Sequence, residues 1–416
     1  AVLLAVRLPD VCPTLYEAFN TLNQALAQEL VDEWLARLGA ALKAFRTFSK
    51  AYVLVQNYDQ PAEPSLGIAD RGAILSQTET IQRANAGLAA LAASIPNVYV
   101  MDYDALVAGH GRLEWADRRL AYVARMPIAA KHHWPLAGFY VRHLRPLYGL
   151  TKKVLVLDAD NTLWGGVVGD VGLEGIALGH DYPGSAFVAF QKRILELYHR
   201  GVVLCIASKN QPGVVEEVLE KHPEMVLRAE HFAALRIDWN HKPDNVRAMA
   251  ADLNLGLDSF VFMDDSPVEC ELMRNSLPDV WSVRLPDDPA YYAAILESLD
   301  CFDQWAFSEE DRQRGKLYQA EAGRRVLQTT VTDLPMFYRQ LEMKMTLSVD
   351  AAAHVGRASQ MTNRTNQFNM HTIRCSEDDI RRFMAADDHQ VVTLALADRF
   401  GDNGIVGLAV VRTGAE

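Results

Sequence analysis

Apolar residues recur at helical spacing through "LYEAFNTLNQALAQELVDEWLARLGAALKAF", and the periodicity predicts helix over about 15–48. The strand-like run "AYVLVQNY" follows, then a second helical stretch over 76–93 and the strand "NVYVMDY". The same rhythm returns further on. It predicts a strand at 153–157, a helix at 184–200, the strand "GVVLCIAS" at 201–208, a helix at 212–221 and the strand "SFVFMDD" at 259–265. Short strands separated by helices imply parallel sheets, with ligands at the carboxyl ends of the strands. Beyond about 305 the pattern turns helical ("EEDRQRGKLYQAEAGRRVLQ", "DLPMFYRQL"). It then shows the strands "EMKMTLSV", "HQVVTLALAD" and "GIVGLAVV", an α+β arrangement. The pattern therefore predicts three regions, 1–148, 149–305 and 306–416.

The chemistry collects at the strand ends of the middle region. "KKVLVLDADNTLWGG" closes a buried strand with Asp158 and Asp160, a neighbouring strand closes with Ser208, Lys242 follows in a polar loop, and Asp264 and Asp265 close another. A parallel sheet would crowd these carboxylates at one edge, where their repulsion has to be offset by a bound cation. Oxygen ligands of this kind suit Mg²⁺, which keeps several waters and takes one or two carboxylates plus a substrate phosphate. Read singly, Ser208 is an ordinary helix cap and Lys242 an ordinary solvated charge; the constellation gives them a role. Asp265 has a bland reading too, because adjacent strand residues face opposite sides.

Composition removes several classes. The 416 residues are 50% hydrophobic, enough for substantial cores, and carry 53 acidic against 41 basic side chains, a net charge of −12. With no Lys/Arg block, neither nucleic acid nor an anionic membrane is an expected partner. The early apolar run "AVLLAV" is too short for a spanning helix or a signal core, so the expected location is cytoplasmic. A first residue other than Met fits a chain cut from something larger. Five scattered cysteines, Cys12, Cys205, Cys270, Cys301 and Cys375, offer neither a disulfide framework nor zinc-ligand spacing.

"DADNTLWGG", "ASKN", "WNHKPDN" and "FMDDSPVE", in this order on these elements, resemble the four motifs of the haloacid dehalogenase (HAD) superfamily, in its phosphatase-like FkbH branch (subfamily IIIC). The resemblance covers roughly 151–290. It implies an α/β fold with a Rossmann-like HAD parallel-sheet core and a Mg²⁺ cofactor. It makes Asp158 the nucleophile and Asp160 the general acid and base, places Ser208, Lys209, Lys242, Trp164, Gly165 and Gly166 around the phosphate, and gives the metal to Asp158, Asp160, Asp264 and Asp265. The first region resembles the SGNH-hydrolase-like α/β domain of FkbH-type proteins. It lacks the Gly-Asp-Ser and Asp-x-x-His that a working hydrolase needs, so a scaffold is expected; Asn57 at a strand end reads as a turn residue. The last region resembles the start of a GNAT-like α+β domain, partial in this chain, in which Asn366, Gln367 and Asn369 would bind substrate or pantetheine amides.

In "DDSPVEC", Ser266, Pro267 and Glu269 read as N-cap, first helical residue and capping-box partner, which puts Cys270 in the first turn of a helix leaving the site. A helix N-terminus favours thiolate, and the nearby carboxylates oppose it. A small buried hydrophobe is the plain alternative. The resemblance implies more: an enzyme thiol, with Cys270 the candidate, relays a glyceryl- or lactyl-type acyl group from a phosphoglycerate-derived acyl phosphate, such as 1,3-bisphosphoglycerate, to an acyl carrier protein in polyketide biosynthesis. The alternatives are a small-molecule phosphatase using an aspartyl-phosphate intermediate and a non-catalytic docking domain of a synthase.

Overall fold

The structure, a computed structural model, describes residues 1–305, 315, 317, 318, 320, 321, 323–325, 327, 328, 331, 333–364 and 373–412. It divides into two compact units, Ala1–Thr151 with Asp303–Ala306, and Lys152–Phe302 with Phe307–Glu416.

The first unit holds a three-stranded parallel sheet in the order β1 (Val2–Leu4), β2 (Val53–Gln56), β3 (Val98–Met101). Helices α1 (Gln24–Arg46) and α2 (Gln77–Ala93) bury Val31, Leu38, Leu42, Ile81, Ala84 and Leu88 in its core. Both helices begin at polar caps, Asn23 and Ser76, whose side chains accept from the backbone three residues on.

In the second unit β4 (Val154–Leu157), β5 (Val203–Ser208), β6 (Phe232–Ile237), β7 (Phe260–Asp264) and β8 (Trp281–Arg284) form a parallel sheet in the order β6-β5-β4-β7-β8. Every residue of β4, β5 and β7 is buried, which is why these strands read as unbroken apolar runs. Helix α3 (Gly184–His199) lays Phe187, Phe190 and Ile194 against the sheet, each contributing about 1.5–3 kcal/mol relative to exposure. The opposite core packs α5 (Lys242–Leu253) through Val246 and Met249, and α6 (Pro267–Ser276) through Cys270 and Met273, against β4, β5 and β7. Helix α4 (Val214–Lys221) covers the first face with Val215, Val218 and Leu219.

The chain runs from β4 outward through β5 and β6, then returns to β4's other side for β7 and β8. The strand order reverses at β4, so a crevice opens beyond its carboxyl end. In the same unit α7 (Leu334–Leu341), α8 (Val355–Arg364) and α9 (Glu377–Ala385) accompany an antiparallel sheet of order β11-β10-β9, made from β9 (Lys344–Val349), β10 (His389–Asp398) and β11 (Gly401–Arg412). Among the described residues no helix is long and apolar enough to cross a membrane.

Candidate active site

Register brings the acids together. Leu157 pairs with Met263, and Asp158 N–H donates to Met263 O at 3.1 Å, so Asp158 and Asp264 leave adjacent strands side by side. One carboxylate oxygen from each of Asp158, Asp264 and Asp265 lies within 4.8 Å of the others. Thr162 Oγ1, fully buried, donates to Asp265 Oδ1 at 3.4 Å and draws that side chain inward.

A single ammonium meets this cluster. Lys242, at the start of α5 and buried, places Nζ 2.6 Å from Asp264 Oδ2 and 2.9 Å from Asp158 Oδ1. Pro243 behind it needs no backbone donor in the first helical turn, which lets α5 begin at this lysine. Burial would lower the lysine's pKa, but Asp158 and Asp264 carry it above its ordinary range. Burial raises Asp158 and Asp264, against the pull of Lys242; for Asp158 the neighbouring Asp264 adds to the rise. Asp265 is likewise raised, by burial and then by Asp158. Asp264 has both oxygens engaged, since Oδ1 accepts Ser266 N–H at 2.8 Å. Asp158 Oδ1 is buried and, although close to the ammonium, accepts no aligned hydrogen bond. Three carboxylates against one ammonium, with an unsatisfied oxygen among them, fit a hard divalent cation bound through oxygen.

Asp160 was expected as a fourth metal carboxylate, and its side chain does not join the cluster. Its Oδ1 accepts Trp164 Nε1–H at 2.9 Å and Val168 N–H at 3.0 Å, and Oδ2 accepts Asn210 Nδ2–H at 2.7 Å. These donors turn the carboxylate toward the loops that follow β4 and β5, because Asn161, in the left-handed region at φ +55°, reverses the chain just after it. Asn210, which the sequence motif contained without a role, also donates to Ser208 Oγ at 3.3 Å.

Three of the residues expected around the phosphate have structural duties. Trp164 is fully buried in the core, with its only polar edge on Asp160. Gly165 pairs with Ala177, and a Cβ there would meet the Phe187 ring at 2.9 Å. Gly166 takes φ +94° and donates its N–H to Asn161 Oδ1, closing the turn. Ser208, by contrast, ends β5 beside Asn210, and Lys209 stands next to it, a third exposed and paired with Glu269 at 2.6 Å. Asn366, Gln367 and Asn369 lie outside the described residues.

Cys270 departs from its expected role. It is fully buried among Val154, Val156, Phe262 and Met273, and its Sγ faces the carbonyls of Asp264 and Val283 at 3.6 and 3.7 Å. Burial pushes the thiol pKa up, with Ser282 opposing, so the reactive thiolate is disfavoured where an acyl relay needs it. The reason is helical phase: at the fourth position of α6 the side chain points back toward the sheet. The other four cysteines are buried as well. In the first unit Asn57 is a turn residue, donating to Asp102 Oδ1 and accepting Asp104 N–H, while His132 stacks on Trp115.

No family model matches the chain, and comparison with curated proteins gives no match. Among solved structures, the chain is similar to the N-terminal part of the protein BF1531 from Bacteroides fragilis, which contains a phosphatase domain and is complexed with Mg. The two are 30% identical, the match covers 71% of this chain and 78% of that one, and the TM-score is 0.65.

Proposed function

This chain belongs to the haloacid dehalogenase-type phosphatase family, and from that premise we propose that it is a Mg²⁺-dependent enzyme removing phosphoryl groups from a small organic phosphate through Asp158. The observation that carries the reading is the buried Asp158 carboxylate, facing an ammonium and two further carboxylates with one oxygen left without a hydrogen bond. Asp158, Asp264 and Asp265 would hold Mg²⁺, which when bound supplies positive charge for the phosphoryl oxygens and screens the acids from one another.

An oxygen of Asp158 attacks phosphorus, the bond from phosphorus to the leaving oxygen breaks, and that oxygen takes a proton from Asp160. Asp160 then accepts a proton from water as the water attacks the aspartyl phosphate, releasing inorganic phosphate and regenerating Asp158. Lys242 and Ser208 supply a fixed ammonium and a hydroxyl for the equatorial oxygens, where preorganised donors stabilise the spread charge.

Transfer of a glyceryl- or lactyl-type acyl group to an acyl carrier protein requires in addition that Cys270 leave the core. The burial of that thiol supports phosphate release over acyl relay. Intact-mass measurement tests both. Incubation with Mg²⁺ and 1,3-bisphosphoglycerate is expected to release phosphate without a thiol-linked mass, and Asp158→Asn to abolish the release. An adduct that disappears in Cys270→Ala and moves to a carrier protein would overturn the preference for hydrolysis; no phosphate release from any substrate would overturn the enzyme reading itself.

A further inference from the structure

A cavity of about 430 Å³ is bounded by the segment that follows β4 and by the start of α4. This is in the lower part of the range of small-molecule sites, sized for the body of a metabolite. Val168, Leu173 and Val218 give it an aliphatic wall, Lys209, Asn210, Asp170 and Glu217 are among its polar lining, and Trp239, which also lines it, is 70% exposed.

Two facts join this cavity to the chemistry. Asp160 is the acid held outside the cation cluster, and two of its three donors, Val168 N–H and Asn210 Nδ2–H, belong to residues that wall the cavity. Asp160, the proton donor of the proposed reaction, is thus tied directly to two residues of the cavity wall. Glu269 supplies the second fact. As a capping-box partner it would reach Ser266 N–H, but Asp264 takes that donor, and Glu269 turns to Lys209. Its other oxygen is buried without a hydrogen bond, so among the described residues Lys209 is the side chain's one partner. A carboxylate is thus committed to holding the ammonium at the cavity wall.

Resting on the proposed phosphatase reading, we infer that the cavity is the leaving-group subsite, that Lys209 is its specificity-determining cation and that Glu269 is the positioning residue holding Lys209. The substrate class is an organic phosphate whose short aliphatic chain lies along the valines toward Trp239 and carries an oxygen near the ester bond for Lys209.

The test is steady-state phosphate release, at fixed Mg²⁺, from straight-chain alkyl phosphates of two to six carbons and from their 2-hydroxy counterparts. Each added methylene is expected to raise kcat/KM about fourfold until the cavity is full, mostly through KM. The surface substitutions Val167→Trp, which narrows the cavity, and Trp239→Ala, which removes part of its lining, should flatten that slope at least twofold per carbon. Lys209→Met should erase at least tenfold of the preference for the 2-hydroxy series. Glu269→Gln should act in the same direction, with the double variant no worse than Lys209→Met alone. If the wild-type protein hydrolyses the series without chain-length dependence, or if Glu269→Gln lowers only the melting midpoint and leaves the 2-hydroxy preference intact, this inference falls while the phosphatase reading stands. No release from either series while 1,3-bisphosphoglycerate is still hydrolysed would overturn this inference alone; no release from any of these substrates would overturn both.

Discussion

Two parallel sheets in this chain end in acids, and only one of the edges resembles an active site. In the first unit, Asp102 follows β3 and accepts from Asn57 Nδ2 and Ala105 N–H, while Asp104 meets Gln60 N–H and the Arg112 guanidinium. Each of these carboxylates has its own local donors. In the second unit Asp158, Asp264 and Asp265 share one point and one ammonium, and burial holds their pKa values high. A sheet edge thus becomes a candidate for chemistry when its carboxylates converge faster than the protein supplies donors to them.

The comparison breaks most sharply on single carboxylates. Asp158→Asn is expected to lower phosphate release at least about 10³-fold, whereas Asp104→Asn should change it less than twofold, both read as initial rates. Next comes Lys242→Met, which leaves two buried acids without their ammonium; a loss of about 10²-fold in kcat/KM and of roughly 3–5 kcal/mol in metal-free stability is expected by denaturant titration. Mg²⁺ should recover part of the stability and little of the rate.

Cation removal sharpens the contrast further. Chelation should abolish turnover, and Mg²⁺ at about 100 times its dissociation constant should stabilise the second unit by about 2.7 kcal/mol, an increment lost in Asp264→Asn. The first unit should unfold identically with or without the ion.

A smaller effect concerns Asp70, buried near the start of α2, which accepts from Ser76 Oγ, Gln77 N–H and Thr78 N–H. Burial opposes ionisation there, but these hydrogen bonds win and hold its pKa below the ordinary carboxylate value. The stability Asp70 contributes is therefore fully present above about pH 4 and lost as pH falls through the lowered folded value. The gap between wild type and Asp70→Asn, about 1–2 kcal/mol near neutrality, should close in acid. A small change in rate, within about threefold, is expected for Cys270→Ala, and in the wild-type protein the buried Cys270 thiol should react with iodoacetamide only after unfolding.

Much of the second unit was legible because burial on both faces writes a strand as a plain apolar run, as in "VLVL" and "FVFM". The strands β6 and β8 escaped notice for the opposite reason. They are the edges of the sheet, half-exposed, and "FAALRI" and "WSVR" each carry an arginine. β1, three residues at another edge, was hidden in "AVLLAV". At the site, sequence order located the strand ends but not the direction of each side chain. Asp160 and Asp158 are two residues apart and still face different partners, since the strand ends at Leu157 and donors from the following segment, Trp164 and Val168, engage Asp160. Glu269 fitted a capping box by spacing, and only the fold revealed that Asp264 had already filled that place. The inward phase of Cys270 depended on which face of α6 meets β7, a tertiary choice no local pattern encodes.

The ammonium wedged between two aspartates has one more consequence. Being covalently part of the chain, it offsets one carboxylate charge whichever ion is bound, and with all three acids ionised a divalent ion brings the other two to balance. Lys242 is thus the fixed part of the charge balance at this sheet edge, and a mobile ion supplies the remainder.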